Sequence, residues 1–124
     1  MTEANDTSVS NRVTLVGRVS APPESRDLPS GDQLVTLRVI VDRPPPRRRS
    51  DAATTRRAVD VIDVTCWTRR TQRTAQGLTA DEEVRVEGAL RRRFFAAGGG
   101  RASRYEVEAN RLVRVTPRSR PPRD

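Results

Sequence analysis

Residues 84–95, VRVEGALRRRFF, change character halfway along. The second half is Arg91, Arg92, Arg93, Phe94 and Phe95. Three guanidinium groups followed by two rings offer bidentate charge for phosphates and flat faces for bases. The first half alternates Val84, Val86, Gly88 and Leu90 with Arg85, Glu87 and Ala89, the period-2 pattern of a half-buried strand. The chemistry therefore sits where a strand runs out of a core. Trp67 and Tyr105 complete a short list of aromatics, 3% of the chain. Further phosphate contacts can come from Arg12, Arg18, Arg38, Arg43, Arg47, Arg48, Arg49, Arg56, Arg57 and Arg69. All 24 basic residues are arginine, which fits phosphate binding and equally fits the coding bias of a G+C-rich genome.

Composition narrows the classes. A net charge of +8 and a pI near 11.4 favour an anionic partner, nucleic acid first. There is no His, and the one Cys, Cys66, lies in an apolar run. A His-based catalytic arrangement or a thiolate or imidazole metal cluster cannot be built from such a chain, so neither an enzyme nor a metal or other cofactor is expected. Residues 1–10 carry Glu3 and Asp6 and lack the apolar segment of a secretory signal, and no apolar run is long enough to span a bilayer. The expectation is a soluble, cytoplasmic, nucleoid-associated protein without a membrane partner. At 124 residues and 34% hydrophobic content, one domain with a small core is expected.

The elements that must position these groups follow in order. Residues 1–10 read as a disordered arm and 11–19 as a strand in which Gly17 marks a bend or bulge. A turn region, ESRDLPSGD, leads to a second strand at 33–41. Residues 42–57, with three consecutive prolines and six arginines, read as a flexible basic loop, either an arm that tracks phosphates or a solvated insertion. The third strand, 58–67, places Cys66 in the core and Trp67 on the more polar face, where core packing and a ligand platform are equally open to it. A short helix ends near Gly77 with Ala75 and Leu78 as its core residues, and the strand at 84–95 follows. AAGGG forms a hairpin tip, residues 104–115 return with an irregularity at Asn110, and 116–124 form a disordered basic tail. Five strands with one helix between the third and fourth predict an all-β, five-stranded OB-fold Greek-key barrel over residues 11–115.

Four segments carry a family resemblance: NRVTLVGRV at 11–19, PPESR at 22–26, VTCW at 64–67 and VRVEGALR at 84–91. In order and spacing they resemble the bacterial single-stranded-DNA-binding protein family along nearly the whole folded part. The resemblance implies an OB-fold protomer, usually in a homotetramer with a dimer as the alternative, that binds single-stranded DNA without sequence preference in replication, recombination and repair. It implies that Trp67 and Phe95 stack on bases and that Arg18, Arg91 and Arg93 face the strand. Two other stacking aromatics of the family are replaced, by Arg43 and Val61, so binding is expected to lean on phosphates and to be salt-sensitive. The family's acidic C-terminal tip is absent from the closing RPPRD, which suggests a short paralogue for which docking of replication and repair proteins through such a tail is not expected.

Phe94 and Tyr105 are secondary stacking candidates. Neighbours in a strand face opposite ways, so Phe94 and Arg92 turn away from the face of Phe95, and burial beneath the hairpin is the alternative for Phe94. Two other functions compete with the leading one: an RNA-binding OB-fold protein, and an OB-fold interaction module that has lost nucleic-acid binding.

Overall fold

The computed structural model describes residues 9–44 and 58–115. The expected N-terminal arm up to residue 8, the loop arginines Arg47, Arg48, Arg49, Arg56 and Arg57, and the tail from residue 116 lie outside the described residues.

Six strands and one helix succeed one another: β1 Val13–Val19, β2 Glu24–Asp27, β3 Gln33–Asp42, β4 Val59–Cys66, α1 Arg69–Gln76, β5 Glu83–Ala97 and β6 Gly100–Arg114. The sheet order is β1-β5-β6-β4-β3-β2, and an additional β1–β3 pairing closes the first five into a barrel. This is the OB-fold expected from the sequence, with β2 added as an edge strand on β3. The four residues of β2, ESRD, are exposed throughout, so no apolar alternation announces them. Pairing with Gln33 to Thr36 makes them a strand.

Closure depends on β1 changing partners. Val13 to Arg18 pair with β5, while Arg18 and Val19 pair with Ile40 and Val39 of β3. Gly17 stands at the crossover, where a Cβ would run into the carbonyl of Ile40. The bend expected there is thus a close approach of two backbones rather than a bulge. The expected irregularity at Asn110 is a bulge: Glu87 faces Arg111 and Gly88 faces Ala109, leaving Asn110 without a partner.

The core is formed from the inward positions of the alternating strands. Val19, Val35, Val39, Val64, Cys66, Val84 and Val86 are fully buried, with Leu37, Val107, Ala109 and Leu112 around them. Cys66 is in the core as its strand pattern requires, and burial pushes its thiol pKa up from 9.0 to about 11.

Helix α1 plugs the end of the barrel. Thr68 caps it by accepting from the Thr71 N–H at 3.2 Å, and Gly77 ends it. Ala75 and Leu78 are buried as expected, and so are Thr71 and Gln72. Gln72 donates to the carbonyls of Gln33 at 2.7 Å and Cys66 at 3.0 Å, so this polar side chain satisfies strand ends at the barrel floor.

Candidate nucleic-acid interface

The hairpin β5–β6 is longer at its tip than the alternation of apolar residues indicated. Gly98 and Gly99, both at positive φ, form a two-residue turn that fixes Ala97 opposite Gly100. That register places Phe95 opposite Ala102, Phe94 opposite Ser103, Arg93 opposite Arg104, Arg92 opposite Tyr105 and Arg91 opposite Glu106. Strand β1 covers β5 only up to Gly88, and β4 pairs β6 only at Val107 and Glu108. The side chain of Asn11 extends the β1 edge by one step, accepting from the Leu90 N–H at 2.8 Å and donating to the Leu90 carbonyl at 2.9 Å. Beyond that point the two arms pair only with each other.

The arms have two faces. On one, Arg93, Phe95, Arg104 and Glu106 close over the outer surface of β2, β3 and β4 and enclose a groove of about 640 Å³. Thr36, Arg38, Asp63 and Thr65 form its floor, with Glu24 and Arg26 on the far wall. The guanidinium of Arg104 lies 5.5 Å from the Phe95 ring centre and that of Arg93 4.9 Å from the Trp67 ring centre. Both are cation–π distances. On the other face, Arg92 lies 4.8 Å from the Phe94 ring and 5.4 Å from Tyr105, and Arg101 lies 5.8 Å from Phe94. Phe94 touches the margin of the groove, but its ring is engaged on this second face and is 59% exposed, so it is not buried beneath the hairpin.

Many of the arginines expected to meet phosphates already hold a carboxylate. Arg18 meets Asp42 at 3.4 Å, Arg38 meets its cross-strand partner Asp63 at 3.1 Å, and Arg91 meets Glu108 at 2.7 Å. Arg43 grips Asp60 through Nε and Nη2, at 2.8 Å for the shortest contact. That side-chain hydrogen bond raises the pKa of Arg43 and lowers that of Asp60. Arg93 donates to Glu106 at 2.5 Å, and Glu106, 5% exposed, also accepts from Thr65 Oγ1 at 3.2 Å. Arg12 and Arg69 are exposed and take part in no ion pair among the described residues.

The structure therefore brings Arg93 and Phe95 together with Arg38 in the groove, sets Trp67 beneath Arg93 but not among the groove's lining residues, and leaves Arg91 on the same strand face outside the groove. Trp67 is half-buried with Arg93 lying over it, and Val61, which by the resemblance replaces a stacking aromatic of the family, is 55% exposed on the same side of β4. Arg104, Glu106 and Arg26 were not anticipated from the sequence. For Arg104 the signal was present: a turn centred on Gly98-Gly99 puts it opposite Arg93. Among the described residues no group of acidic, Cys or His side chains can hold a metal ion, and no helix is long and apolar enough to cross a membrane.

A closed five-stranded barrel with an arginine- and ring-lined groove under its long hairpin is the OB-fold. The model of the single-strand binding protein family matches residues 10–115, and the chain belongs to that family. The Thermotoga maritima single-stranded DNA-binding protein is 33% identical over 101 residues, 81% of this chain and 70% of its own length. Bacillus subtilis single-stranded DNA-binding protein A is 29% identical over 110 residues, 88% of this chain and 61% of its own. The Oceanobacillus iheyensis single-stranded DNA-binding protein is 29% identical over 91 residues, 73% and 53%. The chain thus spans little more than half the length of some curated relatives it matches. The solved structure of the Plasmodium falciparum SSB complex with ssDNA shares the fold, with a TM-score of 0.72 at 18% identity over 87% of this chain and 96% of that one.

Proposed function

We propose that this chain binds single-stranded DNA without sequence preference, as a non-enzymatic protector of exposed strands in replication, recombination or repair. The observation that carries the reading is the groove in which Phe95, 42% exposed, faces Arg104 while Arg93 covers Trp67. Bases stack on Phe95 and on the Trp67–Arg93 pair, and every base offers a π-face, so stacking of this kind tolerates any sequence. Phosphates take over guanidinium groups now held by exposed carboxylates. Such exposed pairs are worth only about 0–1 kcal/mol each, so exchanging a carboxylate for a phosphate costs little. Arg18, Arg38, Arg43 and Arg91 act as exchangeable contacts, and Arg12 and Arg69 as contacts already available. The family resemblance and the chain's basic charge support a homotetramer in the cytoplasm, associated with the nucleoid.

Titration with oligo-dT tests the reading directly, because Trp67 is the one tryptophan and reports its own environment. Quenching on binding is expected, with log K falling against log salt at about −0.7 for each phosphate neutralised. Tight binding without quenching removes Trp67 from the site. Negligible affinity for an oligomer of about 30 nucleotides, longer than one OB-fold spans, even at low salt, would leave a protein-interaction module in its place. Matched RNA and DNA oligomers separate the RNA reading, since the 2′-hydroxyl is the systematic difference.

A further inference from the structure

The groove has two unlike walls. Phe95 and Arg104 stand on the hairpin side and Glu24 and Arg26 on the β2 side, across a floor that includes Thr36 and Thr65. Register fixes this arrangement: Glu24 lies opposite Thr36 on β3, and Thr36 opposite Thr65 on β4, so the three share one row of the outer sheet face. Three carboxylates line the groove, those of Glu24, Asp63 and Glu106. Two of them are engaged. Asp63 accepts from Arg38 at 3.1 Å, and Glu106 accepts from Arg93 and from Thr65. Glu24 is exposed, and among the described residues it joins no ion pair, not even with Arg26 two residues along the same strand face.

We propose that Glu24 ranks the bases that enter the groove by their exocyclic amino groups, favouring cytosine, adenine and guanine over thymine. The proposal rests on the single-stranded-DNA reading above and deepens it: no order of bases is required, and one chemical group grades them. An ionised carboxylate accepts hydrogen bonds and donates none. It also repels phosphate, so the backbone of a bound strand keeps to the guanidinium wall, and a base stacked on Phe95 turns its edge across the floor towards β2. An amino group on that edge donates to Glu24, the contact by which a carboxylate reads cytosine N4. Thymine has one edge donor, its N3–H, recessed between O2 and O4, and a carboxylate that approaches it meets both oxygens. The Thr36 hydroxyl on the floor donates or accepts and so suits every base, which leaves the discrimination to Glu24.

Oligo-dC and oligo-dU of about 8 nucleotides, within the span of one OB-fold, test this on the full chain at pH 8. The two differ in the group at C4 and the proton at N3, and neither carries the thymine methyl. Phosphate contacts carry no base information, so they cancel in the ratio of the two affinities. The parent is expected to bind oligo-dC about fivefold more tightly, the lower end for a base-edge contact because Glu24 is exposed. That ratio should hold while both affinities fall with salt. In Glu24→Gln, whose amide donates as well as accepts, the ratio should drop to within about twofold of unity. A parental ratio below about twofold overturns the proposal. A preference for oligo-dC that persists in the variant also overturns it, by assigning the discrimination to another group. If melting shows that Glu24→Gln does not fold, Glu24→Ala decides by the same ratio. Failure of the parent to bind either oligomer falls on the single-stranded-DNA reading, whereas equal binding of both falls on Glu24 alone.

Discussion

Glu106→Gln should weaken the fold and strengthen DNA binding, two effects with opposite sign from one atom. Glu106 is 5% exposed and its Oε2 accepts from both Thr65 Oγ1 and Arg93 Nε. The Arg93 side chain remains 40% exposed and rests on Trp67. Glutamine keeps the shape and an acceptor oxygen but removes the charge, converting a charge-assisted bond into a neutral one at a cost of about 1–2 kcal/mol. Two factors press towards the lower figure: Arg93 can be hydrated where it stands, and a buried carboxylate no longer has to be desolvated. A loss of about 1 kcal/mol lowers the melting temperature by roughly 4–8 °C in a domain of this size. In the parent, a phosphate must displace Glu106 from Arg93, and the released carboxylate then collects a cation. Neither happens in the variant, so affinity for oligo-dT should rise about fivefold at low salt and the salt slope should steepen by about 0.7. Thermal melting and Trp67 fluorescence titrations at several salt concentrations read both effects. A variant that binds more weakly with an unchanged slope would refute the competition and make Glu106 a positioning residue that holds Arg93 for the strand.

Three further outcomes follow from separate features. Phe95→Leu keeps apolar contact but removes the flat face, and should weaken oligo-dT binding about 5- to 150-fold, the equivalent of one stacked base, with little change in melting because Phe95 lies outside the buried core. Gly17→Ala drives a Cβ into the Ile40 carbonyl where β1 crosses from β5 to β3, and denaturant titration should show a loss of about 3 kcal/mol or more. The buried Cys66 thiol titrates near 11 when folded and near 9.0 when unfolded, so its contribution to stability is complete below about pH 9 and fades as pH rises towards 11. Alkylation of Cys66 at pH 8 should accordingly require unfolding, and rapid labelling of the native protein would contradict its burial.

The barrel was legible because its strands obey one rule: apolar side chains at every second position face a single core. Val35, Leu37 and Val39 show it in β3, as do Val84 and Val86 in β5. Where burial is achieved by hydrogen bonding, that rule is silent. Only Ala75 and Leu78 stand out from the sequence as core residues of the helix, yet Thr71 and Gln72 are buried too, Gln72 because two strand-end carbonyls need its amide. Strand β2 was hidden for the converse reason, since all four residues are exposed and only the free edge of β3 recruits them.

Charge is where composition misleads most, because ion pairing depends on register. The pairing of Arg38 with Asp63 follows from their facing each other across β3 and β4, and that of Arg93 with Glu106 from a hairpin set by two glycines. A reading that counts arginines sees one basic track from Arg18 to Arg93. The folded chain instead separates them into groups that must exchange a carboxylate for a phosphate and groups that need not. Among the described residues, Arg92, Arg101 and Arg104 fall in the second group, all on the hairpin and each against a ring. The unneutralised positive charge that lies beside aromatic surface is thus concentrated on the hairpin that VRVEGALRRRFF begins, and first contact with a polyanion is expected there, with the paired arginines of the barrel engaging as their carboxylates are displaced.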